Sequence, residues 1–527
     1  MVGLAQLVEH QIVALRVAGS SLVSHPINVR TLCVCGFFYF LNKGVKIVGI
    51  YLSLAIISCF FIFLSIILIR TLLFKAKEEQ VGVFEPVCVN SEKAVADLSE
   101  MIKCKTVSHK DKDAENEEEF KKFKSLLPTL FPEIYKRCEF SEVGRRGLLF
   151  KLKGESSSDP AVLMAHYDVV SAEESEWKHD PFGAHVENGF LWGRGTLDTK
   201  GTLNGAMQAL EAYIKAGKTP KNDVFLAFSG DEEVNGGSAS AIVDLFEKNG
   251  ITPAIVLDEG GAVVNNVFPG VTSPAALIGI AEKGMLNVEL SYSASGGHAS
   301  APKSKTPIGS LSKACLDIEK KHFKFRFTEA SYPMFDTLAR RSNFVYRMIF
   351  ANLWCFSPLL NAICKKNGGE INALLRTTCA FTQMEGSRGM NVIPAKAKMI
   401  ANLRILPGET MESTVSQLRR AVKDPDVKIN VIDGMNPSVI SDTKNEGYAK
   451  ISKAINGVWQ DAIVSPYLMF ACSDSRHWGR ISDKVYRFSP MLLSAEDRAT
   501  IHGNDEKISL EAIVKIVEFY TRLLESL

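Results

Sequence analysis

The longest uninterrupted apolar stretch lies near the N-terminus, where residues 47–69, IVGIYLSLAIISCFFIFLSIILI, carry no charge. At the rise of an α-helix this stretch reaches about 34 Å, enough to cross a hydrocarbon core about 30 Å thick. It is apolar on every face, unlike a helix on the surface of a globular domain, and a single-pass membrane anchor is expected. Lys43 and Lys46 precede it, and Arg70, Lys75 and Lys77 follow it. Basic residues on both flanks leave the orientation open. An anchor this close to the N-terminus suits a folded domain outside the cytoplasm.

After the anchor the pattern changes. Residues 70–90 are expected to be a linker, and the charged stretch up to 127 reads as linker and solvated helices. Further on, short apolar segments alternate with helical ones. Residues 148–153 alternate as a strand, and 161–165 are a short apolar run. Residues 186–192 read as a hairpin strand. Leu203, Ala206, Met207, Leu210 and Ile214 recur at helical spacing, and Gly217 stops that helix. Residues 224–228 and 254–257 are continuous apolar runs, as in strands buried on both faces. Strands at 286–292, 397–405 and 427–432 alternate with helices marked by Ile308, Leu311, Cys315 and Ile318, and by Val415, Leu418 and Val422. Ile513, Ile516, Val517, Tyr520 and Leu524 share one face of a final helix. The predicted class is α/β: a mixed central sheet flanked by helices, and a smaller α/β sandwich between residues 282 and 439. Residues 344–363 are rich in Phe, Leu and Ile around Trp354. They read as a core helix of the smaller sandwich, with an acyl-chain groove or a surface against a bilayer as the functional alternative.

Bulk composition narrows the function little. The chain has 527 residues, 46% apolar and 23% charged, with a formal net charge of +2. That balance is ordinary for a globular protein and gives no reason to expect nucleic acid as a partner. The 11 cysteines include no Cys-x-x-Cys pair and read as free, buried thiols rather than a disulfide framework. Residues 1–46 form the N-terminal segment. Within it the run GLAQLVEHQIVALRVAGSSLVSHP resembles the peptide produced when a transfer-RNA gene is translated by mistake. Residues 1–30 are therefore expected to be an artefact of gene assignment, with the true start near Leu41 or Val45.

The candidate chemistry lies at the ends of the apolar runs. His166-Tyr167-Asp168 ends the run at 161–165, and in a strand His166 and Asp168 lie on the same face, where a carboxylate can brace a metal-binding imidazole. Residues 193–201, GRGTLDTKG, form a glycine-rich turn at a helix start, with Asp198 at its centre. The run at 224–228 ends in Ser229-Gly230-Asp231-Glu232-Glu233, and the run at 254–257 ends in Asp258. Consecutive carboxylates at the end of a buried strand repel one another unless a cation sits among them. His502 follows near the C-terminus. His166, Asp198, Glu233, Asp258 and His502 make a suitable shell for two zinc ions, with Asp198 bridging and Glu232 left beside a ligand to act as a base.

The pieces GRGTLDTKG, SGDEEVNG, LDEGG, SGGHASAP, NVIPA, NLRILPG, SDSRHW and IHGNDEKI, with His166-x-Asp168 ahead of them, resemble the co-catalytic zinc metallopeptidases of family M20. That family includes carboxypeptidase G, aminoacylase and carboxypeptidase S. The pieces run in order from about residue 90 to the C-terminus, and the segment MFDTLARRSNFVYRMIFANLWCFSPLL is similar to carboxypeptidase S and to membrane-anchored or secreted relatives that cleave N-acyl amino acids. The resemblance implies a zinc-peptidase catalytic domain at 91–281 and 440–527, with an inserted lid and dimerisation domain at 282–439. It implies His166 and Asp258 on one zinc, Glu233 and His502 on the other, Asp198 bridging, Asp168 orienting His166 and Glu232 as general base. His298 would polarise the scissile carbonyl, often in the partner subunit of a dimer; Arg404 would grip the substrate carboxylate, and Asn391 would be a further polar contact. The implied reaction is hydrolysis of an amide bond next to a free carboxylate, in a peptide or an N-acyl amino acid. A dipeptidase, a short-chain deacylase and an inactive membrane-tethered binding protein are the alternatives. The chain departs from the family at Ala471-Cys472 and Gly386-Ser387, where Gly-Gly is usual, and at Ala299, where Ser is usual. These positions bear on substrate fit more than on metal binding.

Overall fold

Continuous apolar runs need cover on both faces, and here they become inner strands of a ten-stranded sheet. The structure, a computed structural model, describes residues 29–76, 82 and 84–527. It divides into two units, Met1–Leu72 and Leu73–Leu527. The expectation about residues 1–30 falls outside the described residues except for the last two.

The first unit is the helix Val29–Leu73, longer at both ends than the uncharged stretch itself. Its segment Ile47–Leu73 is long and apolar enough to cross a membrane, and its side chains are exposed along nearly the whole length.

In the second unit the large sheet runs, edge to edge, through Glu139–Val143, Gly147–Leu152, Asn222–Ser229, Ser156–His166, Ile255–Asp258, Val485–Arg487, Ala275–Glu282, Val263–Val264 and Leu492–Leu493. Ile463–Met469 also pairs with Ala275–Glu282. The sheet is mixed. Its centre is parallel, with Ser156–His166 between Asn222–Ser229 and Ile255–Asp258, while the edge at Glu139–Leu152 is antiparallel. The helix Lys200–Lys215 is buried over almost its whole length and packs against the helices Ser91–Ile102 and Leu510–Leu524. A Cβ on Gly205 would lie 2.2 Å from Ile516 Cγ2, so this crossing requires glycine.

The charged stretch before residue 130 is more structured than the sequence suggests. Ser91–Ile102 buries Ala94, Leu98, Met101 and Ile102, and Glu117–Leu130 buries Phe120, Phe123 and Leu127. The charges occupy the outer faces of these helices, and a sparse apolar stripe is enough to bind them to the core. Phe123 stacks on Tyr167 at 4.8 Å, which fixes the chain between His166 and Asp168.

A second sheet is wholly antiparallel, in the order Thr378–Glu385, Lys396–Ile405, Gly284–Ser293 and Lys428–Met435. It has its own core, in which Leu286, Val288, Leu290, Leu403 and Ile405 meet Leu311, Ala314 and Ile318 of the helix Pro307–Lys320 and Val415 and Leu418 of Met411–Ala421. Three of its strands were legible in the alternation. The fourth, Thr378–Glu385, is mostly exposed and meets the core only with the short pair Cys379 and Phe381 among its described contacts.

The aromatic segment expected as one core helix of this smaller sandwich is instead two helices, Phe344–Ala351 and Leu353–Asn367, bent by 109°. Phe350 packs with Phe268 and Phe335, and Cys364, Leu374 and Leu375 join the same large core. The sequence pattern shows that a face is apolar but does not say which of two cores it meets. The described cysteines are all free, as expected. Cys104, Cys138 and Cys364 are buried, whereas Cys59 and Cys88 are exposed.

One buried ion pair ties the large sheet together. Arg487 Nε donates to Glu282 Oε1 at 2.5 Å, with both side chains almost fully buried. Glu282 also accepts from the Ser473 and Ser475 hydroxyls. Replacing Arg487 with Met leaves that carboxylate buried without a counter-charge, which costs about 3–5 kcal/mol. Thermal unfolding should show a markedly lower melting temperature for Arg487→Met, and Glu282→Gln combined with it should recover part of the loss.

Candidate active site

The parallel strands deliver their C-terminal ends to one edge of the sheet, the position where open α/β sheets place ligands. His166 ends its strand opposite Ser229, the last residue of the neighbouring strand, and Asp258 ends the next one. Glu232 and Glu233 follow Ser229 in a single helical turn, Glu232–Val234.

Asp198 stands at the centre. Its Oδ1 lies 2.9 Å from His166 Nε2 and its Oδ2 lies 3.0 Å from His502 Nε2. His502 Nε2 is also 3.0 Å from Glu233 Oε2. One carboxylate therefore spans two imidazoles, and the ligand atoms of His166, Asp198 and Glu233 lie within 4.8 Å of one another. Asp258 is buried and accepts a hydrogen bond from Ser475 N at 2.9 Å.

The loop that carries Asp198 is braced from behind. Glu506 accepts hydrogen bonds from the backbone N–H groups of Gly195, Leu197 and Asp198 and from Arg194 Nη1 at 2.7 Å. Gly195 has a φ of +90°, a conformation open to glycine that turns its N–H toward that carboxylate. Lys200 of the same motif points into the core and donates to the carbonyls of Met101 and Cys104. The Asp198–Thr199 peptide is cis.

Asp168 divides its work in a way the sequence did not foretell. His166 Nδ1 is 3.0 Å from the Asp168 main-chain carbonyl and 3.5 Å from its carboxylate. The carboxylate accepts from the N–H groups of Glu232 and Glu233, both at 3.1 Å, and from Ser108 Oγ at 2.7 Å. It therefore couples the His166 strand to the turn that carries both glutamates.

The electrostatics of the cluster are lopsided. Burial pushes Glu232 and Glu259 well above the usual carboxylate range and raises Glu233 and Asp258. Burial also lifts Asp474 to about 7. Burial alone would raise Asp198 too, but the hydrogen bonds from His166 and His502 outweigh it and hold its pKa below the usual value. The partners Asp198 and Glu233 push His502 up to about 10. Six acidic groups thus crowd round two imidazoles, and the site favours added positive charge. Glu233 Oε1 is buried without a hydrogen-bond partner, a donor atom held ready for a cation. The mix of imidazole and carboxylate donors suits zinc and related divalent ions. A metal therefore fits the residues present.

The structure does not bring every candidate into this cluster. His298 is exposed, on a two-stranded ribbon with Val392, and its Nδ1 lies 2.7 Å from Ser300 Oγ. The Asn391 carbonyl accepts from Ala299 N, so Asn391 adjoins His298. Among the described residues, no hydrogen bond or ion pair joins either one to the Asp198 cluster. Arg404 sits on the strand Lys396–Ile405, with Nη1 3.7 Å from Cys472 Sγ. Sequence reasoning missed Ser108, Ser475 and Glu506 as supports. Glu506 lies within IHGNDEKI, but nothing in its spacing reveals that it reaches residues 194–198.

Comparison with known proteins places the chain in a family. The model of peptidase family M20/M25/M40 matches residues 162–526. A probable carboxypeptidase S-like 2 of Dictyostelium discoideum is 30% identical over 88% of this chain and 92% of its own length. The N-fatty-acyl-amino acid synthase/hydrolase PM20D1.1 of Danio rerio is 33% identical over 91% of this chain and 96% of its own. Among solved structures, an M20 family metallo-carboxypeptidase of Sulfolobus solfataricus aligns with a TM-score of 0.60 over 82% of this chain and 98% of its own, at 18% identity. The family match covers the strand ends, the Asp198 loop and His502 together, and the chain belongs to peptidase family M20/M25/M40 and is a hydrolase.

Proposed function

We propose that this chain is a membrane-anchored di-zinc hydrolase that cleaves the amide bond next to a C-terminal free carboxylate, in a peptide or an N-acyl amino acid. The observation that carries the reading is Asp198 held between two imidazoles, with the half-buried Glu232 carboxyl beside them. His166 and Asp258 would hold one zinc, Glu233 and His502 the other, and Asp198 would bridge them. When bound, two zinc ions supply Lewis acidity and bring the pKa of a water toward neutrality. Glu232 accepts the proton of the attacking water and passes it to the leaving amine. Burial raises the proton affinity of Glu232, which suits that exchange at neutral pH. Asp168 keeps His166 and the Glu232 turn in register. Arg404 pairs with the substrate carboxylate and sets its orientation.

Residues 91–281 and 440–527 act as the catalytic domain, and 282–439 as a lid and dimerisation domain. His298 and Asn391 sit together on the exposed ribbon of that lid and, among the described residues, share no hydrogen bond or ion pair with their own cluster, which suits delivery to the site of a partner subunit in a homodimer. There His298 donates a hydrogen bond to the developing oxyanion. Residues 47–69 anchor the chain, with the catalytic domain on the extracytoplasmic side. The curated relatives named for N-fatty-acyl amino acids span nearly the whole chain and favour acyl amino acids over dipeptides as substrates.

The zinc-loaded full chain should release amino acids from N-acyl amino acids more readily than from dipeptides, and a chelator should abolish release. Release only from dipeptides would support the dipeptidase reading. No release from any substrate, with zinc bound, would support a binding protein on this scaffold. Glu232→Gln should retain the metal and lose on the order of 10²–10⁴-fold in kcat.

The raised pKa values of the metal-free site have a second consequence. Glu232, Glu233 and Asp258 shift upward and His502 reaches about 10, so protons held there must leave when metal enters. Metal affinity should therefore rise with pH between 6 and 8. Calorimetric titrations of zinc in two buffers of different ionisation heat should reveal net proton release. Uptake of protons, or no exchange, would contradict this charge balance.

A further inference from the structure

The bent helix pair carries an apolar face that the catalytic reading does not use. Trp354 and Leu359 are 56% and 53% exposed, and Phe344, Val345 and Ile363 are exposed with them. On Leu353–Asn367, Trp354, Pro358 and Ala362 follow one helical row, with Leu359 and Ile363 on the row beside it. The opposite side of this helix, with Leu353, Leu360 and Cys364, packs on the large core. The apolar rows end at the exposed Lys365 and Lys366. Single exposed apolar residues are ordinary, but a row of them bounded by cations marks a surface built for contact.

Chain continuity says what meets it. The apolar span ends at Leu73, and the next residue, Phe74, is packed against the large core. Arg340 of the helix Tyr332–Arg340 lies over the Phe74 ring at 4.2 Å and donates to the Lys75 carbonyl at 3.4 Å. Asp336 holds the same guanidinium at 2.8 and 3.0 Å. Only Arg341 to Asn343 separate this clamp from Phe344. The residues that follow the span are therefore held by the helix that immediately precedes the apolar pair. Lys75, Arg341, Lys365 and Lys366 are all exposed and give that region a basic rim.

From these observations we infer that the helix pair Phe344–Ala351 and Leu353–Asn367 docks on a phospholipid bilayer, with Trp354, Leu359 and Ile363 entering the headgroup boundary and the basic rim meeting anionic headgroups. The inference rests on the anchor reading above. An interfacial helix of this kind buries its apolar face about 5–10 Å deep, and tryptophan suits that depth because its ring is apolar and its N–H can meet the headgroups. Lipid is the occupant that chain continuity and charge favour: the residues that follow the span are held by Arg340, just before Phe344, and the exposed lysines and arginine complement anionic headgroups.

Tryptophan fluorescence tests it well, because the other four tryptophans, Trp177, Trp192, Trp459 and Trp478, are buried. The full chain would be reconstituted into phosphatidylcholine–phosphatidylserine vesicles with brominated acyl chains. Resistance to alkaline carbonate extraction would report the anchor separately. Trp354 emission, taken as the difference between the wild type and Trp354→Phe, should be quenched by roughly half or more by bromines near the headgroups. Leu359→Glu with Ile363→Glu, both at exposed positions, should reduce that quenching while the chain stays resistant to carbonate. A carbonate-resistant chain whose Trp354 is not quenched would overturn the docking inference and leave the anchor standing. Emission that changes with protein-to-lipid ratio but not with bromine would mean that a second copy covers the face, and would also overturn it. A carbonate-extractable chain would overturn the anchor and the docking together.

Discussion

The site depends on the cost of burying negative charge. Glu232, Glu233, Asp258, Glu259 and Asp474 crowd the carboxyl edge of the sheet round Asp198, whose own two oxygens meet His166 and His502. In a low-dielectric interior such a group is stable only if it takes up protons or cations. The unpartnered Glu233 oxygen marks the same requirement at a single atom. A cation bound among them, as proposed, would turn a liability of the fold into the means of hydrolysis.

Much of the surrounding structure serves to hold these charges in place. Glu506 gathers the N–H groups of the Asp198 loop, and Asp168 gathers those of the Glu232–Glu233 turn. The Glu282–Arg487 pair holds Ser473 and Ser475, and Ser475 N in turn meets Asp258. Each support is itself a buried carboxylate with its own partners. The positions of the first set of charges thus follow from a second set whose desolvation is offset by backbone hydrogen bonds and buried arginines.

The chain between residues 282 and 439 is shared between two cores. Its antiparallel sheet and two helices form a separate core, while the helices of residues 332–375 return to the large one. The ribbon with His298 belongs to the first part, and the apolar face with Trp354 lies on the second.

The α/β class, the apolar stretch at 47–69 and the identity of the clustered residues can be read from the chain alone. Those features are local: an apolar run specifies a buried strand, and the residues that end it are its next neighbours in the chain. His166, Glu232, Glu233 and Asp258 could all be read in this way. His502 and Asp198 could be named from their motifs, but only the folded chain brings His502 Nε2 to 3.0 Å from Asp198. The tertiary structure also decided that Glu506 braces a loop far away in sequence, that Asp168 serves the glutamate turn, and that the aromatic segment joins the large core. The physical reason is the same in each case. A side chain's period shows whether it is buried, but its partner is chosen by packing between elements that have no fixed spacing along the chain.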